Sequence, residues 1–176
     1  MNLEARIKQA MVDVHDFPSP GIVFKDITPL FQDPELLNDL VDAMADACKN
    51  ERIDAIVGLE SRGFLLAVPL SMKMNVPFIM VRKKGKLPRE CHSISYDLEY
   101  GSSSIEMHKD ALKPGNRVLI HDDVLATGGT AEAAAKLVIE AGAEVAMFQF
   151  IVELSFLKGM DRMRSYSPCI TTFARF

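Results

Sequence analysis

Cysteine is scarce: Cys48, Cys91 and Cys169 are odd in number and far apart, which excludes a disulfide framework and suits reduced thiols. The four histidines, His15, His92, His108 and His121, lack metal-ligand spacing, so no metal held by the protein alone is expected. No apolar run approaches the roughly 20 residues of a membrane helix, and Met1 to Val14 carries charges throughout, unlike a signal peptide. The expected compartment is the cytoplasm, with no membrane partner. Positive charge is not in excess either. Twenty Lys+Arg against 24 Asp+Glu leave a net charge of -4, which argues against a general nucleic-acid partner. Internal repeats, low-complexity tracts and linkers are also missing. What is present, 48% hydrophobic and 25% charged residues in a chain of 176, describes one globular domain over residues 1–176.

Hydrophobic periodicity supplies the order of elements. Leu3 to Val14 and Pro34 to Lys49 have helical spacing, the second with proline at a helix start. Ile53 to Leu59 reads as a strand, Gly63 to Met74 as a helix and Val76 to Val81 as a strand. This β-α-β order calls for an α/β fold with a mostly parallel central sheet flanked by helices. Residues about 82–109 break the pattern: a basic run, then alternating segments that turn near Gly101, read as an insertion that serves as a lid or a partner contact. A further strand covers Glu144 to Leu154, with a short helix from Leu157 to Arg164 and a last strand from Cys169 to Phe173.

The most informative stretch is RVLIHDDVLATGGT at 117–130. Val118, Leu119 and Ile120 suit a strand buried on both faces, and Ala131 to Ala141 suits a helix. Ligands of open α/β sheets bind at such strand-loop-helix junctions. Gly128 and Gly129 let backbone N–H groups close around an anion, the next helix adds its free amides, and Thr127 and Thr130 add hydroxyls. Asp122 and Asp123 would repel a phosphate but can accept hydrogen bonds from vicinal ribose hydroxyls. Together these describe a site for a ribose 5-phosphate. A P-loop needs a lysine before its Ser or Thr, and a dinucleotide fingerprint needs G-x-G-x-x-G; neither is present. A bare turn with a helix cap is the plainer alternative, yet turn chemistry does not require two acids ahead of T-G-G-T.

GLESRGF at 58–64 again follows an apolar strand and precedes a helix; Arg62 offers a fork of donors for a second anion, and a plain turn with a surface arginine is the alternative. The basic run Arg82, Lys83, Lys84, Lys86 and Arg89 reads by itself as a solvated face. In residues 96–100, alternation puts Tyr96, Leu98 and Tyr100 on one side and Asp97 with Glu99 on the other. Phe24, in a Pro-Gly-bounded loop, reads first as a core plug, with stacking on a planar base as the alternative.

Taken together, these stretches resemble the type I phosphoribosyltransferases, and their flanks resemble the branch of that family acting on adenine. The matching segments are DFPSPGIVFKDITP at 16–29, GLESRGF, RKKGKLPRE at 82–90, YDLEYG at 96–101 and VLIHDDVLATGGT at 118–130. The resemblance implies the type I phosphoribosyltransferase fold with a small hood, and the substrates adenine and 5-phosphoribosyl 1-pyrophosphate. It further implies magnesium carried mainly on that donor, a homodimer, and a place in purine salvage. It assigns Ala126, Thr127, Gly128, Gly129 and Thr130 to the 5-phosphate, and Asp122 and Asp123 to the ribose hydroxyls. Arg62, with the backbone of Glu60 and Ser61, would hold pyrophosphate, around a non-proline cis peptide common in the family. Val23, Phe24 and Lys25 would bind adenine, Phe24 by stacking. Glu99 would manage the proton at adenine N7, with Tyr100 beside it, and Arg82 with Lys86 would reach the donor site of a partner subunit.

Two positions depart from the family's commonest pattern. Lys25 stands where arginine is usual, which weakens any bidentate contact there. His121 stands where an aliphatic residue is usual, and it reads as a structural histidine whose pKa two neighbouring carboxylates could raise. Two rivals remain: the same reaction on another purine base, and a regulatory protein that senses the sugar donor. The latter would need an added nucleic-acid-binding segment, and only Met1 to about Asp13 precedes the matching segments.

Overall fold

A computed structural model of the chain describes residues 1–97 and 102–176. Helix α1 (Leu3–Ala10) is capped by the Asn2 side chain, which accepts from the Ala5 amide at 2.9 Å. The expected continuation of this helix to Val14 does not form. Val12-Asp13-Val14-His15 alternates apolar and polar groups, and it becomes strand β1 (Val12–His15), paired antiparallel with β2 (Val23–Asp26). Helix α2 (Pro34–Ala47) starts where its proline predicts, and the Asp33 side chain accepts from the Leu36 amide at 3.0 Å.

The central sheet then assembles from buried runs. Strand β3 (Ala55–Leu59) is buried along its whole length and leads into α3 (Gly63–Met74). Strand β4 (Phe78–Lys83) extends two residues past the expected end, so Arg82 and Lys83 are strand residues, outside the loop predicted to begin there. The hairpin of β5 (Cys91–Asp97) and β6 (Ser102–His108) joins the edge of β4 antiparallel. Strand β7 (Arg117–Leu125), helix α4 (Gly129–Glu140) and strand β8 (Glu144–Glu153) follow. The expected last helix shrinks to α5 (Gly159–Met163), and β9 (Ile170–Arg175) closes the sheet. The strand order is β5-β6-β4-β3-β7-β8-β9, parallel from β4 to β9.

Alternation along the strands divides the core into two layers. Ile56, Leu119 and Met147 pack with Leu40, Met44, Leu66 and Leu70 under α2 and α3. Val57, Ile120 and Phe148 pack on the other side with Ala134, Ala135 and Val138 of α4. Burial on both faces explains why these strands read as continuous apolar runs. The alanines of α4 bring its axis close to the sheet, and its start therefore lies directly over the end of β7.

Candidate active site

Strand β7 sits between β3 and β8, so the turns leaving β3 and β7 lie side by side at the same end of the sheet. Gly128 has φ of 82°, a left-handed conformation that suits glycine, and no side chain caps α4. The amides of the first turn of α4 are thus left open to a ligand, with the positive end of the helix dipole behind them. Thr127 is exposed, and the Thr130 hydroxyl donates to the Tyr96 hydroxyl at 3.2 Å. Gly63 joins the two turns: a Cβ there would lie 2.9 Å from Asp122 Oδ1 and 3.2 Å from Asp122 Cα. Only glycine lets α3 begin against the acid pair.

Arg62 ties three segments together. Its Nε donates to Oδ2 of Asp123, a nearly buried carboxylate, while the guanidinium carbon lies 5.9 Å from the centre of the Phe24 ring. Arg62 itself stays 41% exposed and keeps its remaining donors for an anion. Phe24 does not plug the core as first expected. It is half-buried, meets Phe17 edge-on at 5.3 Å, and borders the same space as Arg62. Strand alternation turns Lys25 the other way, where its Nζ bonds Asp13 at 2.6 Å and lies over the Phe176 ring. Lys25 and the exposed Val23 therefore flank Phe24 through their main chain.

Glu60 is the hub of the basic segment. It accepts from Lys86 Nζ at 2.8 Å, from the Lys83 amide at 2.9 Å and from Arg82 Nη2 at 3.2 Å. Burial by itself would raise its pKa, but these three bonds more than offset that and take it down to about 2. Arg82 and Lys86 are thus folded onto their own chain, with Arg82 Nη1 also donating to the Lys86 carbonyl. The peptide bond between Glu60 and Ser61 is cis. Glu99 and Tyr100 lie outside the described residues.

The acids at the end of β7 differ from each other. Burial, then the charge of Asp123, pushes Asp122 well above the usual carboxylate range, whereas Asp123 is engaged by Arg62. His121 is fully buried, with Nδ1 3.0 Å from the Gln149 carbonyl oxygen. Its pKa falls to about 4, because burial outweighs the opposing influence of Asp123. This corrects the expectation of a raised value: the neighbouring charge is present, but the ring has no water to stabilise its charged form.

The model of the phosphoribosyl transferase domain matches residues 28–175. The chain belongs to the phosphoribosyltransferase family. Among curated relatives, it is 57% identical over 157 residues to an adenine phosphoribosyltransferase of Ureaplasma parvum, covering 89% of this chain and 91% of that one. It is 48% identical over 174 residues to the Cytophaga hutchinsonii protein of the same name, covering 99% and 96%. Among solved structures, the adenine phosphoribosyltransferase of Thermoanaerobacter pseudethanolicus matches with a TM-score of 0.94 at 44% identity, over 99% of this chain and 100% of that one. The Saccharomyces cerevisiae structure, bound to an imino-altritol bisphosphate and adenine, matches at 0.90 and 41% identity, over 97% and 98%. The sheet is that of the type I phosphoribosyltransferases.

Within this family fold, sequence reasoning overlooked two participants. Tyr96 reads from the sequence only as a strand-face residue, yet its hydroxyl meets Thr130 of the T-G-G-T loop. The Glu60 side chain was passed over for its backbone, although a carboxylate beside a basic run at 82–90 was the available signal.

Proposed function

We propose that the chain is an adenine phosphoribosyltransferase that converts adenine and 5-phosphoribosyl 1-pyrophosphate into AMP and pyrophosphate. The observation that carries this reading is the meeting of Phe24, Arg62 and Asp123 beside the T-G-G-T loop at one end of the sheet. The relatives' shared name and near-complete coverage support the choice of base. Ala126 to Thr130 hold the 5-phosphate through amides and hydroxyls. Asp122 and Asp123 face the ribose hydroxyls, and Arg62 binds the pyrophosphate. Adenine stacks on Phe24 while the main chain of Val23 and Lys25 reads its edge.

Adenine N9 then bonds to C1 of the ribose as the C1–O bond breaks, and the bonding electrons leave with pyrophosphate. Arg62 stabilises that charge. Adenine reacts with its proton on N7, and Glu99, as general base, accepts that proton as N9 bonds to C1.

Magnesium comes with the donor. Among the described residues no three His, Cys, Asp or Glu side chains converge on a metal position. Two adjacent acids beside a pyrophosphate site nevertheless suit an ion held mainly by substrate oxygens and water. When bound, it neutralises charge on the departing pyrophosphate.

The working unit is a homodimer. Leu65, Val68 and Met72 form an exposed apolar stripe on α3, with Leu65 at 52% and Met72 at 76% exposure. Exposed Met80 joins them, because it pairs in register with Gly58, which faces α3. A second copy would cover this stripe. Arg82 and Lys86, which border it on β4 and the following loop, would then be free to serve the partner's donor site. We assign the enzyme to the cytoplasm; no described helix is long and apolar enough to cross a membrane.

The test is incubation of purified protein with magnesium, the sugar donor and a panel of nucleobases, following nucleotide formation. AMP from adenine is expected. Turnover of another base with none of adenine would refute the specificity, and inertness toward every base would refute the activity.

A further inference from the structure

The phosphate loop rests on a part of the chain far from it in sequence. After β8, Lys158 takes a left-handed conformation and Gly159 opens α5 directly against the loop. A Cβ on Gly159 would be driven into the Ala126 carbonyl oxygen, far inside van der Waals contact. The same Cβ would lie 3.0 Å from Leu125 Cδ1 and 3.1 Å from the Gly128 nitrogen. Two of these three neighbours are backbone atoms of the loop, and neither can swing aside as a side-chain end would.

The contact is reciprocal. A Cβ on Gly128 would lie 3.1 Å from the Gly159 carbonyl oxygen and 3.2 Å from Met163 Cε. A second tie fastens the same elements: Glu132, in the first turn of α4, accepts from Arg162 Nη1 and from the Tyr166 hydroxyl, each at 3.2 Å. The segment around α5 therefore grips both the loop and the helix start that follows it.

We propose that Gly159 is a positioning residue for the phosphoribosyl donor: its missing side chain lets α5 fix the curvature of Ala126–Thr130, so that the loop amides point at the 5-phosphate before it arrives. Preorganised donors lose nothing to reorganisation, while small displacements of a binding group are costly. Any side chain at 159 displaces the Ala126 carbonyl and the Gly128 amide. The adenine segment at 23–25 and Arg62 belong to other elements and stay in place. The inference rests on the phosphate role proposed for this loop.

Steady-state kinetics on Gly159→Ala tests it. The KM for the donor should rise by about tenfold or more, with the KM for adenine changed less than about twofold. Ribose 5-phosphate, titrated alone, should weaken in parallel. Gly142→Ala is the control, since it strains a positive-φ glycine far from the loop, where the added Cβ meets only Pro114, at 3.4 Å. It should lower Tm and leave the donor KM unchanged. A Gly159→Ala protein with lowered Tm and an unchanged donor KM would overturn the proposal. Should that variant not fold, Met163→Ala, which removes the methyl group against Gly128, takes the same measurements, and an unchanged donor KM again overturns it. Failure of the wild-type chain to bind the donor would instead strike the phosphate reading of the loop.

Discussion

Replacing His121 with leucine should flatten the acid side of the stability profile. The ring is fully buried, and its pKa drops from 6.5 to about 4. A folded-state pKa below the unfolded value means that the unfolded chain binds the extra proton first. The stability contributed by neutral His121 is therefore fully present above about pH 6.5 and is lost as the pH falls toward 4. At 1.36 kcal/mol per pKa unit, the loss between pH 7 and pH 4.5 is about 2–3 kcal/mol, a large share of a domain's net stability. Leucine cannot titrate. It sacrifices the hydrogen bond to the Gln149 carbonyl, worth about 1 kcal/mol, but also removes the buried Nε2, which has no partner among the described residues. The net change at pH 7 is therefore small. Urea unfolding of both proteins at pH 7 and pH 4.5 gives the comparison, because the carboxylates, Asp122 and Glu60 included, are common to both and cancel in the difference. If the two proteins lose the same stability over that interval, the burial argument for His121 is wrong.

Arg62→Ala should lower kcat by about 10²–10³-fold through loss of charge stabilisation on the leaving group, and Arg62→Lys should recover only part, since an ammonium cannot serve Asp123 and an anion in a planar fork. Activity of Arg62→Ala within a few-fold of wild type would reject the role. Glu60→Gln should release Arg82 and Lys86 and cost about 1–2 kcal/mol, a value discounted for the partial exposure of both cations. In wild type the same contacts hold Glu60 down to about 2, so their stabilisation should be lost as pH falls from 4.5 toward 2 and be absent from the variant. Met72→Asp with Leu65→Asp should convert a dimer into a monomer in light scattering, with circular dichroism unchanged; a wild-type protein that is itself monomeric would refute the interface.

What the sequence made legible follows the range of the forces involved. Strands β3, β7 and β8 and the helix α4 announce themselves because burial on both faces demands apolar runs, such as Val118–Ile120 and Val145–Phe148, and a close approach demands alanine. The T-G-G-T turn between β7 and α4 is equally readable, since its glycines, hydroxyls and adjacent acids report a local chemistry. Strand β1 is not legible in the sequence, because Val12 and Val14 gain their strand conformation from Val23–Asp26, a pairing that four residues cannot advertise.

The site's long-range couplings were hidden for the same reason. Arg62 meets Asp123 across 61 positions, and Glu60 meets Lys86 across 26. His121 shows the limit most clearly. Its two acidic neighbours in sequence argued for a raised pKa, but the walls that exclude water are built by β3, β8 and the helices packed on them. Sequence neighbours set the charges around a group, whereas the fold sets the dielectric in which those charges act, and here the second term is the larger.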